Sequence, residues 1–432
     1  MAYRRSLVAK VALASLLGTM MEYFDFLIAG VFSAIVWPEI FFSGVSPALA
    51  FPFSIAAFGV TGLSRPVAAF LFGNFGDKVG RKTALLWTLG AMGVGTAAIA
   101  LLPSYATIGF LAPILLIVFR LVQGFGIGGE WGPVSSWISE FAAKSKWRAF
   151  WTSPVSIAAA LGGAFGSFSV AIASSSLPHV AFLDWGWRVI YLAGAVVLVF
   201  GIVIRYKVAE SPLFTALRES RAIEKHPAIV ALKVRWKTIL YLPSFWVYTV
   251  IPLLIYPFTL AFLEAFKLPV AFVVFAAGVG SMVSALSMLL GGILGDVIGK
   301  RNVILTSSIL TIVFIYPFYL LINTLVPSLI LLGLIVIYTV PNLTFGVLPA
   351  LYTESFPTKF RSSGAGLAAQ IGNLITGGVL ITAIYPIIIG VSGGIVKAWP
   401  YLIAAYAAVT AVALIGALFL KDTKLAELER SD

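Results

Sequence analysis

Long apolar runs follow one another along the whole chain, separated by short polar segments. Most runs have about 20 residues or more, which is enough to cross roughly 30 Å of hydrocarbon as an α-helix. They are too long, and alternate too little, to be strands of a membrane β-barrel. The pattern therefore predicts twelve transmembrane helices, at approximately residues 11–37, 50–74, 82–102, 108–138, 149–175, 186–206, 239–263, 270–295, 302–323, 327–352, 362–389 and 398–420.

The composition indicates a chain that lies in a lipid bilayer. Of its 432 residues, 60% are hydrophobic and 11% are charged. A soluble protein of this size could not keep so much apolar surface away from water. The sequence contains no cysteine, which excludes disulfides and thiolate metal sites. We expect no metal and no cofactor.

The net charge of +12 points to the membrane once its distribution is considered. With a cytoplasmic N-terminus, 24 of the 29 Lys and Arg residues fall in inner segments, and the outer loops keep Arg188, Lys267 and Lys397. The positive-inside rule then places both termini in the cytoplasm of a multi-pass protein of the cell membrane. The first apolar run is too long for a signal peptide, so we interpret it as a retained helix. No nucleic-acid partner is expected.

Two polar motifs occur twice along the chain. "GNFGDKVGRK" (73–82) matches "GGILGDVIGKR" (291–301), with Asp77 and Asp296 separated by 219 residues; "SEFAAKSKWR" (139–148) matches "TESFPTKFR" (353–361), with Glu140 and Glu354 separated by 214. Two unrelated motifs at nearly one offset indicate a duplicated unit of six helices, and the even number makes the repeats parallel. The predicted domains are a bundle at 1–206, a cytoplasmic linker at 207–238 and a second bundle at 239–432.

These motifs resemble those of the major facilitator superfamily over the whole chain. The stretches "GTMMEYFDF", "GFGIGGEWG", "FLDWGWR" and "AESPLF" are most similar to its metabolite:proton symporter branch, which includes bacterial carriers of 2-oxoglutarate, citrate, shikimate, and proline or betaine. The resemblance implies an all-α integral membrane fold of two parallel six-helix bundles. It also implies that spans 1 and 4 line a central cavity.

The repeated loops contain candidates for a conformational gate at the inner surface. Gly73 and Gly80 permit close helix approach and a tight turn, and Asp77 is suited to accept from a helix N-terminus or an Arg across the seam between the halves. Such contacts would hold the inner side shut in one state; alternatively, the basic residues only fix the topology. The candidates are Gly73, Asp77, Gly80, Arg81, Lys82, Asp296 and Arg301, together with Glu140, Arg148, Glu210, Glu354 and Arg361, which resemble the superfamily's inner charge clusters.

Five charged residues lie inside predicted spans and away from the span ends, all in the first half: Glu22, Asp25, Arg65, Arg120 and Glu130. A charge at this depth costs about 2.5–3.5 kcal/mol on insertion scales, so each is a functional hypothesis. Helical rise places Asp25 and Arg120 near the middle of the membrane, with Glu22 and Gln123 about one turn closer to the cytoplasm. Because the resemblance places spans 1 and 4 at the cavity, we expect Asp25 and Arg120 within reach of one another. The alternative is a static buried ion pair.

These residues suggest how a proton and an anion could be coupled. Burial favours the protonated form of a carboxyl group, and a nearby Arg favours its ionised form. A substrate anion on Arg120 would free the carboxylate to hold a proton, and Arg suits this because its fork binds carboxylates bidentately. We assign Asp25, Glu22 and Glu130 to proton coupling, with Asp25 preferred as the carrier. We assign substrate binding to Arg120, Gln123 and Arg65, with shape and hydrogen bonds from the second half supplied by Trp246, Tyr256, Tyr338, Asn342 and Asn373.

The predicted function is proton-coupled symport of a small carboxylate or zwitterionic metabolite by alternating access, with the proton as the coupling ion and a monomer as the working unit. A proton-driven exporter of the same fold is the alternative, which the buried Arg120 disfavours. A sensor built on a carrier scaffold would carry long soluble appendages. An enzyme is not expected, because no nucleophile–base pair or metal-ligand cluster is found.

Overall fold

The structure, a computed structural model, describes residues 2–206, 210–220 and 223–420, and these ranges are helical without any strand. Parts of the predicted linker and of the C-terminal end lie outside the described residues, namely 207–209, 221–222 and 421–432, the last with Lys421, Lys424 and Arg430. The helices of the first half are α1 (Ala2–Ile35), α2 (Trp37–Ile40), α3 (Pro47–Gly59), α4 (Thr61–Val79), α5 (Arg81–Ala100), α6 (Tyr105–Ile108), α7 (Leu111–Phe141), α8 (Arg148–Thr152), α9 (Pro154–Ser176), α10 (His179–Ala181) and α11 (Trp187–Tyr206).

Two shorter helices follow α11, namely α12 (Pro212–Glu219) and α13 (Pro227–Tyr241). The helices of the second half are α14 (Pro243–Ala265), α15 (Val270–Val297), α16 (Lys300–Asn323), α17 (Pro327–Thr339), α18 (Asn342–Glu354), α19 (Arg361–Asn373), α20 (Tyr385–Ser392) and α21 (Ile395–Phe419). A wide π-helical stretch, Leu374–Ile384, joins α19 to α20, and a shorter one, Phe182–Gly186, precedes α11.

The described helices form twelve segments that are long enough to cross a membrane. In the part of the chain that the structure describes, eleven segments are long and apolar enough to cross a bilayer. Helix α14, with 23 residues, occupies the place of the predicted seventh span. Helix α13 continues past the predicted linker boundary at 238, and it bends where Arg235 leaves helical geometry (φ −123°, ψ 26°).

Proline divides two of the predicted spans into shorter helices. Pro154 starts α9 directly after α8, and Pro341 lies between α17 and α18. Proline lacks the backbone donor that a continuous helix needs, so each break leaves backbone carbonyls available to side chains. Asn342 uses one of them, since its Nδ2 donates to the Tyr338 carbonyl at 2.5 Å.

The two halves pack against each other through α9 with α15 and α4 with α19. Small residues let these backbones approach closely. A Cβ added to Gly73 would lie 2.8 Å from Ser363 Cα, and one added to Gly132 would lie 2.9 Å from Gly366 Cα. Any larger residue at these two positions would push the halves apart.

Each half also stabilises the start of a helix in the other half at one end of the bundle, which we call the basic end. There Asp77, near the end of α4, accepts from the backbone of Ser362 (3.3 Å) and Ser363 (2.8 Å) at the first turn of α19. Asp296, near the end of α15, accepts from the backbone of Ala149 (3.0 Å) and Phe150 (2.9 Å) at the start of α8. The sequence repeat is thus also a repeat of contacts.

The second motif supplies ion pairs that cross the seam in the same twofold manner. Arg361 donates to Glu140 at 3.2 Å, and Arg148 donates to Glu354 at 2.9 Å. Arg81 adds a contact to Glu140 (3.1 Å) and one to Asp77 (3.1 Å). Together these side chains form a closed, largely buried network.

The remaining loop candidates have more local partners. Glu210 accepts from the backbone amides of Arg81 and Lys82, both at 3.2 Å, and Gly80 adopts φ +134°, which a side chain would strain. Arg301 instead donates to the carbonyls of Ala417 and Leu418 within its own half. Lys300, its neighbour, contacts Glu354 at 2.9 Å. In the second half, Lys300 rather than Arg301 therefore joins the charge network, through Glu354.

Aromatic rings close the seam at the opposite end. Phe51 in α3 packs edge-on against Phe258 in α14, with ring centroids 6.5 Å apart. Phe168 in α9 packs against Phe275 in α15 at 5.7 Å. The two halves are therefore in contact at both ends.

Asp77→Asn should loosen the basic end, because an amide accepts more weakly than a carboxylate and removes a counter-charge from Arg81. Hydrogen bonds to charged groups contribute about 1.5–3 kcal/mol each. Spin labels on Val79→Cys and Lys359→Cys, unique in a chain without cysteine, should report a new population at longer distance. The exposed Asp184→Asn serves as the matched control, and an unchanged distance distribution in Asp77→Asn would contradict a closing role.

Candidate functional site

Asp25 and Arg120 are joined through the side chain of Gln123. Gln123 Nε2 donates to Asp25 Oδ2 at 2.8 Å, and Arg120 Nη1 donates to Gln123 Oε1 at 2.7 Å. Thr96 in α5 donates to the other oxygen of Asp25 at 2.9 Å. The amide of Gln123 therefore uses its donor and its acceptor within this chain of contacts. We call Asp25, Thr96, Gln123 and Arg120 the upper cluster.

The guanidinium of Arg120 is enclosed on several sides. Its Nη2 donates to the Phe58 carbonyl at 3.1 Å, and its centre lies 5.3 Å from the Phe58 ring and 5.6 Å from the Trp37 ring. Among the described residues, Arg120 forms no ion pair. The predicted proximity to Asp25 is thus indirect, because the Gln123 amide lies between the two charges.

A second group of buried polar side chains lies closer to the basic end. Glu130 in α7 accepts from Thr19 in α1 at 3.0 Å and from Arg205 in α11 at 2.5 Å. Glu22 lies one turn after Thr19 on the same face of α1, so its carboxyl group faces that of Glu130. We call Thr19, Glu22, Glu130 and Arg205 the lower cluster. All four side chains are buried.

Arg205 is a member that sequence reasoning missed. It lies in the last turn of α11 and was counted among the basic residues of the inner loop. Gly18 makes its position possible, because a Cβ there would overlap the Arg205 guanidinium. The signal in the sequence was Glu130 itself, since an acid in a span requires a cation at a similar depth.

Arg65 differs from Arg120 and Arg205 in its hydrogen bonding. Its guanidinium lies over the Phe26 ring at 4.9 Å, and its Nε, like that of Arg120 and Arg205, has no hydrogen-bond partner among the described residues. Within the described ranges we find no hydrogen bond or ion pair to Arg65. Its side chain lines a small cavity between the halves, together with Asn373 from α19. Arg65 is therefore a buried cation directed toward the seam.

The second half lines another small cavity. Tyr338 and Asn342 line it, together with Tyr23 from α1 and Ser281 from α15. The Tyr338 hydroxyl is buried and has no hydrogen-bond partner among the described residues. This cavity holds about 20 Å³ and the one at Arg65 about 10 Å³, whereas sites for small ligands usually exceed about 300 Å³. The halves must separate before a metabolite fits.

The other candidates lie at different places along the seam. Trp246 packs edge-on against Trp131 with ring centroids 5.0 Å apart, so it joins the halves through aromatic contacts. Tyr256 is buried near Tyr338. Asn373 donates to Gln370 at 2.8 Å. In the described part of the chain, no three His, Cys, Asp or Glu residues are grouped to hold a metal ion.

Comparison with known proteins identifies the family. A sequence profile described as "Major Facilitator Superfamily" matches residues 11–379. The chain is 33% identical over 373 residues to an inner membrane metabolite transport protein of Escherichia coli, covering 85% of this chain and 84% of the relative. It is 31% identical over 385 residues to the shikimate transporter of the same organism, covering 85% of each.

A solved structure supports the same architecture. The major facilitator proton:xylose symporter bound to 6-bromo-6-deoxy-D-glucose aligns with a TM-score of 0.75 at 14% identity, covering 99% of each chain. At this identity the likeness shows the fold alone. The predicted all-α fold of twelve helices in two six-helix bundles is confirmed, and the chain is a transporter of small molecules, not an enzyme. This multi-pass membrane protein belongs to the major facilitator superfamily.

Proposed function

We propose that the chain is a proton-coupled symporter that carries a small carboxylate or zwitterionic metabolite by alternating access, with both termini in the cytoplasm. The observation that carries this proposal is Arg65, a buried guanidinium without an ionic partner in the described chain, placed where the two halves meet. An unpaired buried cation is costly. A carboxylate is its natural counter-ion, because the planar fork binds two oxygens at once.

The surroundings of Arg65 supply the other features that such a substrate needs. Asn373 lines the same cavity as Arg65 and is a neutral hydrogen-bonding group from the second half. Tyr338 is a second such group and lines the other small cavity. The acids of the upper and lower clusters lie close by in the first half and provide proton sites. The similarity to a protein named as a shikimate transporter is consistent with a small organic substrate.

The closed network at the basic end fits alternating access. Its contacts join the two halves through carboxylates that accept from helix N-termini, and these bonds break only when the halves separate. Opening that end would expose the cavities to one side of the membrane, while closing it would allow the aromatic contacts at the opposite end to part. Because the arrangement is twofold, both halves contribute carboxylates and helix N-termini to this step.

Uptake into proteoliposomes tests the function directly. With an inward proton gradient imposed, we expect at least one compound from a panel of organic acids and betaines to accumulate above its external concentration. Collapsing the gradient with a protonophore should abolish accumulation while leaving substrate exchange. Uptake that is independent of the proton gradient, or the absence of uptake for every carboxylate and zwitterion tested, would contradict the proposal.

Arg65→Lys should weaken substrate binding by at least tenfold, which corresponds to about 1.4 kcal/mol, because an ammonium group lacks the bidentate fork. Scintillation proximity or calorimetric binding on purified protein measures this. Arg188→Lys is the matched control, since Arg188 donates to the carbonyls of Ala100 and Leu102, away from the cavities. Unchanged affinity in Arg65→Lys together with lost affinity in Arg120→Lys would place the anion at Arg120 instead.

A further inference from the structure

The lower cluster contains more carboxyl groups than cations that bind them. Arg205 forms an ion pair with Glu130 at 2.5 Å. Glu22 has no ion pair within the described chain, although it is 96% buried. Two carboxyl groups that face each other away from water are not both ionised while only one of them is paired with a cation, since like charges at this distance repel strongly. As long as Arg65 is not paired with Glu22, the arrangement therefore requires one proton on the Glu22–Glu130 pair.

The groups that face Glu22 come from four helices. They are Glu130 from α7, Arg205 from α11, Arg65 from α4, and Tyr23 beside it in α1. Helix α9, which packs along α1, contributes no charged side chain. The Arg65 side chain, from α4, packs against the face of α1 that carries Glu22. Its guanidinium lies over the ring of Phe26, which is one turn after Glu22 in α1. Arg65 is thus the cation that Glu22 meets on the cavity side.

The charges of the upper cluster, the lower cluster and Arg65 sum to zero when every group is ionised. These sites bury three carboxyl groups (Glu22, Asp25 and Glu130) and three guanidinium groups (Arg65, Arg120 and Arg205). One proton on the Glu22–Glu130 pair raises the sum to +1. That excess sits on Arg65, and one substrate carboxylate neutralises it.

The upper cluster is less suited to release and rebind a proton. Both oxygens of Asp25 already accept hydrogen bonds, from Thr96 and Gln123. The guanidinium of Arg120 is held by Gln123 and by the Phe58 carbonyl. Neither Asp25 nor Arg120 lines the cavities. An exchange of partners there would require this whole chain of bonds to break.

We propose that the transported proton resides on the Glu22–Glu130 pair, that Arg205 positions this pair, and that Arg65 couples it to the substrate anion. This inference rests on the proposed symport function. In the loaded carrier Glu22 is protonated and Arg65 binds the substrate carboxylate. When the carboxylate leaves, Glu22 loses its proton to the open side and Arg65 turns to the Glu22 carboxylate. The buried charge is neutralised in both states.

Glu22→Gln separates the coupling from the transport step, because glutamine resembles the protonated acid. In proteoliposomes we expect exchange of labelled for unlabelled substrate to continue at a rate within about threefold of the unmodified protein. Accumulation driven by an imposed proton gradient should fall to the equilibrium level. The matched control is Glu39→Gln, an exposed position in α2, which should accumulate normally.

The outcomes distinguish this inference from the proposed function. If the unmodified protein itself shows no gradient-driven accumulation, the symport proposal fails. If the unmodified protein accumulates substrate and Glu22→Gln does so equally, only the proton site is wrong, and Asp25 becomes the carrier. Loss of exchange in Glu22→Gln, with folded protein in the membrane, would also overturn the inference.

Arg205→Met tests the positioning role through the pH midpoint of uptake, which would not change if Arg205 were only a structural residue. Removing the cation next to Glu130 favours retention of the shared proton, so the pH midpoint of uptake should shift upward by about one unit or more, a tenfold change in proton affinity. Gly18→Ala is the second variant, since it displaces the Arg205 side chain without removing it, and it should shift the midpoint in the same direction. Folded variants with unchanged midpoints would overturn the role of Arg205.

Discussion

A charge inside this bundle has to be neutralised close to where it lies, because the surrounding hydrocarbon and apolar side chains cannot solvate it. This constraint organises the first half of the chain. Arg205 reaches past Gly18 to meet Glu130, and Arg120 is satisfied by an amide, a carbonyl and two aromatic rings. Arg65, unlike Arg120 and Arg205, has no hydrogen bond or ion pair in the described structure. The proposed substrate site therefore lies at Arg65, the buried charge that no side chain of the described structure neutralises directly.

The second half presents a neutral surface to the seam. Its seam-facing surface provides neutral groups such as Tyr338, Asn342 and Asn373, together with small residues that permit close helix packing. A neutral face can move past the charged half without breaking buried ion pairs near the centre. The ionic contacts between the halves are concentrated at the basic end, where Asp77 and Asp296 each accept from a helix N-terminus in the opposite half. This division places the charges for binding in the interior and the ionic contacts between the halves at one end.

The sequence predicted the helices well, because they depend on the pattern of apolar positions along the chain. The twelve spans follow from the apolar runs. The repeat that relates Asp77 to Asp296 indicates that the two residues make equivalent contacts, and both accept from the start of a helix in the opposite half. What it could not supply was the direction of each side chain around its helix. Gln123 was assigned to the substrate, yet its amide is fully engaged between Asp25 and Arg120. Arg205 was counted among the inner cations. Arg301 was a gate candidate, yet it donates to a carbonyl of its own half, and Lys300 contacts Glu354. These differences of rotation and rotamer arise from tertiary packing.

The central claim is that binding a substrate carboxylate requires one additional proton inside the first half. Calorimetry of substrate binding to the purified transporter, repeated in buffers of different ionisation enthalpy, counts the protons taken up on binding. At a pH where the empty carrier is deprotonated, the charge balance predicts uptake of one proton per bound carboxylate, and no uptake in Glu22→Gln. Binding of a carboxylate with no proton uptake across the pH range in which transport occurs would contradict it.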